Sequence, residues 1–456
     1  MPGRRATRTA PYVAWLLILA TTAALVLFLN APGHMSVDSI ISLAEGRTGT
    51  RITWGPPMYS AILGFFDGIQ TGTTLYLGAS LMLLLVAWAT LPALRPRLRW
   101  SGPLLLVLVV ATPQLMIYQG IVWKDVLFAN LTVAAFVVLA VAGRLWMSMP
   151  LRLGAFVLAA TLLAFACLVR QNGFIAVVAA CVVLAWLGSR SGGLRSAVSW
   201  GLAGLILPLL LMVGLDRATP VKDAPGAESQ DRGVRLLQQY DLAAALAENP
   251  QRPMPILDRA NPAEMRIFRR EAPTAYSPVR IDSLSRVQNL GQVIWRLDGE
   301  DVSREWLDMI VEDPVGYGER RLNVFRWVFA TPDIDRCLPV HVGVAGPPAE
   351  MALLKMEPRF DGDDVRLFNY VTWYLDTPVM SHVAYAILAL VVGLILLIRR
   401  DPGDIAIAGL LGTGLAFAGS FLVISLACDY RYLYLLDISA MTGLLYLMID
   451  PRLKRG

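Results

Sequence analysis

A chain of 456 residues that is 56% hydrophobic and only 16% charged is not built for water alone; soluble domains carry about 25% charged residues. The net charge of +5 sits in short loops beside apolar runs, and no basic face with interleaved aromatics appears, so no nucleic-acid partner is expected. Four cysteines and three scattered histidines (His34, His341, His382) show no CxxC or Cys/His ligand spacing, which argues against a structural metal site.

Ten apolar runs follow one another along the chain. They lie near Pro11–Asn30, Thr74–Leu94, Pro103–Tyr118, Val126–Val141, Leu153–Val169 and Phe174–Leu187, then near Val198–Leu215, His382–Ile398, Ile405–Ala427 and Leu433–Ile449. Most reach the roughly 17–25 residues that carry a helix across a ~30 Å hydrocarbon core. The first follows Arg4, Arg5 and Arg8, and its length and weak cleavage context read as a retained anchor. Only the turn around Gln119–Asp125 separates the third run from the fourth, and only Arg170–Gly173 the fifth from the sixth; each pair is expected to be a helical hairpin. The chain therefore reads as an all-α polytopic membrane protein with about ten transmembrane helices.

Arginine and lysine gather at alternate junctions: Arg4, Arg5 and Arg8; Arg95, Arg97 and Arg99; Arg144 and Arg152; Arg190 and Arg195; Arg399 and Arg400; Arg452, Lys454 and Arg455. Cytoplasmic loops carry this excess, so both termini are expected inside a bacterial cytoplasmic (inner) membrane. Three regions follow: residues 1–215 with about seven helices and a first outward loop at 31–73, an extracytoplasmic domain at 216–381, and residues 382–456 with about three helices. The outward domain reads as mainly helical and irregular, with Gly/Pro punctuation around Pro220–Gly226, Pro250–Pro255 and Gly346–Pro348. Within it Asp313-Pro314 predicts a helix start, and Ser303 is expected to cap a short helix carrying Trp306 and Ile310. Cys337 and Cys428 both fall on the outward side, where an oxidising compartment would let them pair.

Ionisable residues are almost absent from the run interiors and collect at the outward ends: Asp38 and Glu45, Lys124 and Asp125, Arg170, and Asp429 with Arg431. Cations there run against the topological bias, and ionisable groups at membrane depth tend to mark function. Each taken singly also fits a snorkelling side chain or a structural ion pair. Four outward loops with the same pattern point to a shared cavity. In the first loop, Ser36 is expected to cap a helix on which Asp38 and Glu45, two turns apart, share a side. Pro56-Pro57 then starts a second element that is apolar enough at Met58–Phe66 to re-enter the membrane surface.

The acidic residue just after the first helix, followed by Gly46 and by Pro56-Pro57-Met58-Tyr59, resembles the GT-C superfamily of membrane glycosyltransferases. Ile121–Phe128, Leu168–Gly173 and Asp429-Tyr-Arg-Tyr432 are similar to outward turns of bacterial members. Two positions depart from the pattern: Gly55 stands where many relatives have histidine, and Asp38-Ser39 replaces an Asp-Glu pair. The resemblance implies transfer of a sugar from a polyprenyl-phosphate donor to a glycan, lipid or protein acceptor at the outer face, with membrane lipid around the site and no cofactor required. A divalent cation could sit on the first-loop carboxylates, although no ligand spacing asks for one. Asp38 would be the base that takes the acceptor proton. Lys124, Arg170 and Arg431 would hold the lipid phosphate, supported by Glu45, Asp125, Gln171 and Asp429. Trp54, Tyr59 and Trp123 would stack on sugars. Alternatives are an O-antigen ligase or polymerase using a diphosphate-linked donor, a transporter, and a scaffolding membrane protein.

Overall fold

A computed structural model describes residues 3–228 and 231–452, with no side-chain detail before Thr9 or at Gln288. Of the expected cytoplasmic cations, Lys454 and Arg455 lie outside the described residues, as do the side chains of Arg4, Arg5 and Arg8. Among the described residues the chain is helical almost throughout, and eight helices are long and apolar enough to cross a membrane, or nine with one bent pair. It divides into two compact units. The first holds residues 1–225, 340–418 and 431–456; the second holds 226–339 and 419–430.

The first unit begins with α1 (Gly3–Asn30), α2 (Val37–Thr48), α3 (Pro57–Ile69) and α4 (Thr74–Thr90). The third apolar run is not one straight helix. It divides into α5 (Ser101–Val110) and α6 (Pro113–Met116), and the bend measures 68°. Pro113 brings no backbone N–H to the ladder; the Val109 carbonyl it would have served accepts instead from the Thr112 N–H and hydroxyl, and the Ala111 carbonyl at the bend accepts from the Tyr370 and Tyr374 hydroxyls. Then come α7 (Lys124–Arg144), α8 (Met149–Val169) and α9 (Phe174–Ala218). α7 is buried along nearly its whole length, packed by α4, α8, α9 and later α21. Such an all-round apolar helix belongs at the centre of a bundle. α9 is interrupted at Gly192 and Gly193, where φ/ψ leave the helical region and Gly193 takes φ +65°. Its two arms pack against each other, with Gly188 beside Ser196, Gly201 beside Ala185 and Gly204 beside Leu184, which is antiparallel pairing. That fold-back coincides with the Arg190–Arg195 junction separating two apolar runs.

The second unit comprises α10 (Arg232–Glu248), α11 (Pro255–Ala260), α12 (Pro262–Ala275), α13 (Asp282–Arg286), α14 (Gln288–Arg296), α15 (Gly299–Glu312) and α16 (Pro314–Ala330). Its core gathers Tyr240, Leu246, Phe268, Leu290, Val302, Met309 and Val324. Asp313 caps α16 through the Gly316 N–H at 2.9 Å. The preceding helix starts earlier than the sequence suggests. Asp298 is its cap, accepting from Glu300 and Asp301, while Ser303 lies inside and bonds Gln238 and the Gly299 carbonyl. Buried Arg321 pairs with Asp241 at 3.0 Å and also donates to the Leu422 and Ser425 carbonyls, which binds residues 419–430 into this unit. Cys337 and Cys428, 91 residues apart, form a disulfide that does the same covalently.

The chain then returns to the first unit with α17 (Pro348–Leu354), α18 (Gly362–Thr372) and α19 (His382–Arg399). α20 (Pro402–Ile424) and α21 (Tyr434–Ile449) complete the helices. The compact second unit is therefore shorter than the expected domain at 216–381. Residues 340–381 belong to the first unit because Val344 forms bridges to Met35 and Arg359, and the Gly343 N–H donates to His34 Nδ1 at 2.9 Å. A minimal parallel pair joins Thr50–Arg51 (β1) to Lys222–Asp223 (β2). Arginines at the opposite end of the spans are paired: Arg95 meets Asp401 and Asp404, Arg399 meets Asp404, and Arg452 meets Asp450.

The stretch after the Pro-Pro pair folds as α3 against α2, and the crossing depends on two glycines. A Cβ on Gly46 would come within 2.1 Å of the Ser60 carbonyl, and one on Gly64 within 2.3 Å of the Gly46 carbonyl. Neither neighbour is a flexible side chain, so backbone must move. Gly46→Ala should therefore cost at least the upper part of the ~1–3 kcal/mol typical of overpacking. Thermal unfolding of purified protein checks this; an unchanged melting point would mean the two helices have room to part.

Candidate functional site

α2 starts six residues after α1, and Ser36 occupies the position before its first turn, where its carbonyl accepts from the Ser39 and Ile40 N–H groups but its side chain caps no backbone N–H. Its hydroxyl instead accepts from the Trp123 indole N–H at 2.9 Å, while Ser39 donates to the Val122 carbonyl. These contacts clamp the first turn of α2 onto the entry of α7, and so place Asp38 beside Lys124 and Asp125.

Four segments distant in sequence meet there. Arg431 donates from Nη2 to Asp38 Oδ2 at 2.8 Å, and its Nε lies 4.0 Å from Asp125 Oδ2. Arg170, at the end of α8, pairs with Asp125 Oδ1 and donates from Nε to Asn172 at 3.1 Å. The Asp125 side chain is 3% exposed, whereas that of Asp38 is 55% exposed. Asp125 is thus a buried link between two guanidiniums, and Asp38 presents an accessible carboxylate. The half-buried Lys124 ammonium lies over the Trp54 ring at 5.5 Å and, among the described residues, forms no ion pair. Arg431 lies over Trp123 at 4.7 Å and Arg170 over Phe417 at 5.1 Å, arrangements in which aromatic faces stabilise cations.

Desolvation in its recess pushes the Asp38 carboxyl up. The Arg431 and Lys124 cations and the Arg431 hydrogen bond outweigh it, so the group is held below its ordinary 3.8. It is a carboxylate at neutral pH. His341 approaches from residues 340–418, its ring 6.2 Å from that of Trp123 and its Nε2 3.0 Å from the Met35 carbonyl. Burial lowers its pKa below 6.5, partly opposed by that hydrogen bond.

The other expected participants take varied places. Glu45 is fully buried and faces the loop before α3, accepting from the Ile52 and Thr53 N–H groups and from the Thr53 and Ser60 hydroxyls. It supports the site by fixing the loop that carries Trp54. Gln171 is exposed, and its neighbour Asn172 takes the bond from Arg170. Tyr59 is 2% exposed and packs edge-on against Tyr76, which leaves it no face for a sugar. Trp123 is also buried, with Arg431 over its ring; Trp54 stays half-open. Asp429 is buried and belongs to the second unit. Asn172 and His341 are contributors that sequence reading passed over, the second because nothing near residue 341 signals the loop it joins.

Beneath the cluster, His34 is held neutral. Its Nε2 donates to Asn30 and its Nδ1 accepts from Gly343. Burial first, then the Arg359 charge, lowers its pKa from 6.5 to about 3. The unfolded chain takes up a proton near 6.5 that the folded chain refuses. Stability should therefore decline as pH falls from about 6.5 toward 3, by up to about 1.4 kcal/mol per pH unit. His34→Gln should flatten that slope in melting curves between pH 7 and 5. An equal slope would assign it to another group.

No known protein family, curated protein or solved structure matches this chain. Among the described residues no group of histidine, cysteine, aspartate and glutamate could hold a metal ion.

Proposed function

We propose that this chain is a membrane glycosyltransferase of the GT-C type, moving a sugar from a polyprenyl-phosphate donor to an acceptor at the outer face of the cytoplasmic membrane. The reading takes α9 as two spans and the bent α5–α6 pair as one, giving ten passes with both termini inside. The observation that carries it is the convergence of Lys124, Arg170 and Arg431 around exposed Asp38 at one end of an apolar bundle. Three cations face the one accessible carboxylate of Asp38 there, and such an excess of positive charge near lipid is costly unless a further anion arrives.

Three requirements of such a transfer have a group to meet them. The lipid phosphate leaves as an anion and needs cations rather than a strong acid; Lys124 and Arg431 would hold it. Asp125, sunk between Arg170 and Arg431, would orient those guanidiniums. Asp38 would accept the acceptor hydroxyl's proton as the hydroxyl oxygen attacks the anomeric carbon and the phosphate departs from the other side, which implies inversion. Asp38, held by Arg431, is weakly basic. A phosphate that draws Arg431 and Lys124 toward itself would free Asp38 and raise its basicity, so that donor binding arms the base.

Binding tests the reading. Purified protein in nanodiscs should take up a polyprenyl monophosphate at least tenfold more tightly than the corresponding polyprenol. Equal binding of the two would contradict the phosphate role. A clear preference for the polyprenyl diphosphate would favour a diphosphate-dependent ligase instead.

A further inference from the structure

The second unit has a cleft of its own, of about 240 Å³, lined by Ser277, Arg280, Asp282, Ser283, Arg286 and Arg336. Three arginines from two stretches of chain, Arg280 and Arg286 from one and Arg336 from the other, line it, and among the described residues none of them forms an ion pair. With Asp282 as the one carboxylate on the lining the cleft keeps an excess of positive charge, which a further anion would offset.

The walls are fixed. Arg280 forms an antiparallel bridge to Ala427, and the Cys428 N–H donates to the Val279 carbonyl at 2.7 Å. Cys428 is joined by the disulfide to Cys337, the neighbour of Arg336. The Arg336 guanidinium lies over the Trp327 ring at 5.1 Å, and Arg280 donates to the Arg336 carbonyl. Arg286 ends the short α13, which also supplies Asp282 and Ser283. Arg280 and Arg336 are thus held in place, and a receptor with positioned cations loses little entropy when a ligand binds.

We propose that this cleft binds an acidic saccharide. Guanidinium forks match a carboxylate or phosphate in two parallel hydrogen bonds. A bare inorganic anion would be repelled by the Asp282 carboxylate on the same wall. A sugar bearing a negative group resolves that conflict, since Asp282 accepts from its hydroxyls while the arginines take the charge. Ser277 accepts the Val279 N–H at 3.2 Å, which leaves its hydroxyl proton to donate, and Ser283 donates to the Arg280 carbonyl yet keeps lone pairs to accept. The cleft is therefore provided with both donors and acceptors around a positive centre, as a charged and hydroxylated ligand requires.

The test is titration calorimetry on the full chain in nanodiscs with glucuronate, glucose and inorganic phosphate as probes. Glucuronate should bind at least tenfold more tightly than either of the others. Arg286→Ala and Arg336→Ala, both at exposed positions, should each weaken it tenfold or more while leaving the melting point unchanged. Asp282→Asn should weaken glucuronate and strengthen phosphate. Phosphate binding as well as glucuronate would reduce the cleft to a simple anion site and overturn the proposal, as would glucose binding equally or variants without effect. Asp38→Asn should bind glucuronate like the wild type, so a failure here and a failure of the glycosyltransferase reading would be told apart.

Discussion

Asp38→Asn should abolish transfer, lowering turnover by at least about 100-fold, the smaller end of what a positioned base contributes. The substitution keeps size and shape, and the amide oxygen can still accept from Arg431, which now approaches Asp38 at 2.8 Å. Expression and membrane insertion should therefore be unchanged. Donor affinity should hold or improve, because a carboxylate that competes with the lipid phosphate for Arg431 and Lys124 has been removed. This combination, lost turnover with retained donor binding, separates a base from a residue that only shapes the site. Normal turnover in the variant would remove Asp38 as the base.

Arg431→Ala should raise the KM for donor at least tenfold while leaving the KM for acceptor nearly as it was. A charge-assisted hydrogen bond contributes roughly 1.5–3 kcal/mol, which is about one to two decades in binding. Arg431→Lys should recover part of the loss by restoring the charge without the fork. The same change should alter the pH profile. Arg431 is the chief cation holding the Asp38 carboxyl below its ordinary value, so without it that pKa rises and the acid limb of the rate profile moves to higher pH. An effect confined to acceptor affinity would count against the phosphate role. Arg170→Ala is the less discriminating variant. It leaves Asp125, whose side chain is 3% exposed, with only the Arg431 guanidinium 4.0 Å away, and breaking a buried pair costs about 3–5 kcal/mol, so lost folding would accompany lost binding.

That the chain is built from long apolar helices is readable in the sequence because lipid imposes that solution and its signal is local; the number of spans is not, since ten apolar runs stand against eight such helices among the described residues, or nine with the bent pair. The meeting of Asp38 with Arg431, 393 residues away, was readable only as a tendency: cations placed against the topological bias at successive turns of the same side. Which partner each would choose was not. Glu45 lies two turns from Asp38 but is consumed by the Ile52–Ser60 loop, and Arg170 selects Asn172 over Gln171. Such choices are made by backbone placement within an ångström, which residue spacing does not encode. The second unit's limits were hidden for a similar reason. Residues 340–381 look like more of a soluble domain until Val344 pairs with Met35, and residues 419–430, which begin as the last turns of α20, are also held by Arg321 and Cys337 of the second unit.

The central claim is that a polyprenyl-phosphate sugar is the substrate. Its most direct test is mass spectrometry of polyprenyl-linked sugars and envelope glycans in a strain lacking the protein, complemented with either the wild type or Asp38→Asn. The account predicts accumulation of one polyprenyl-monophosphate sugar and loss of that sugar from a glycan, both reversed by the wild type and neither by the variant. Unchanged lipid-linked pools and glycans, under conditions where the protein is made, would contradict it.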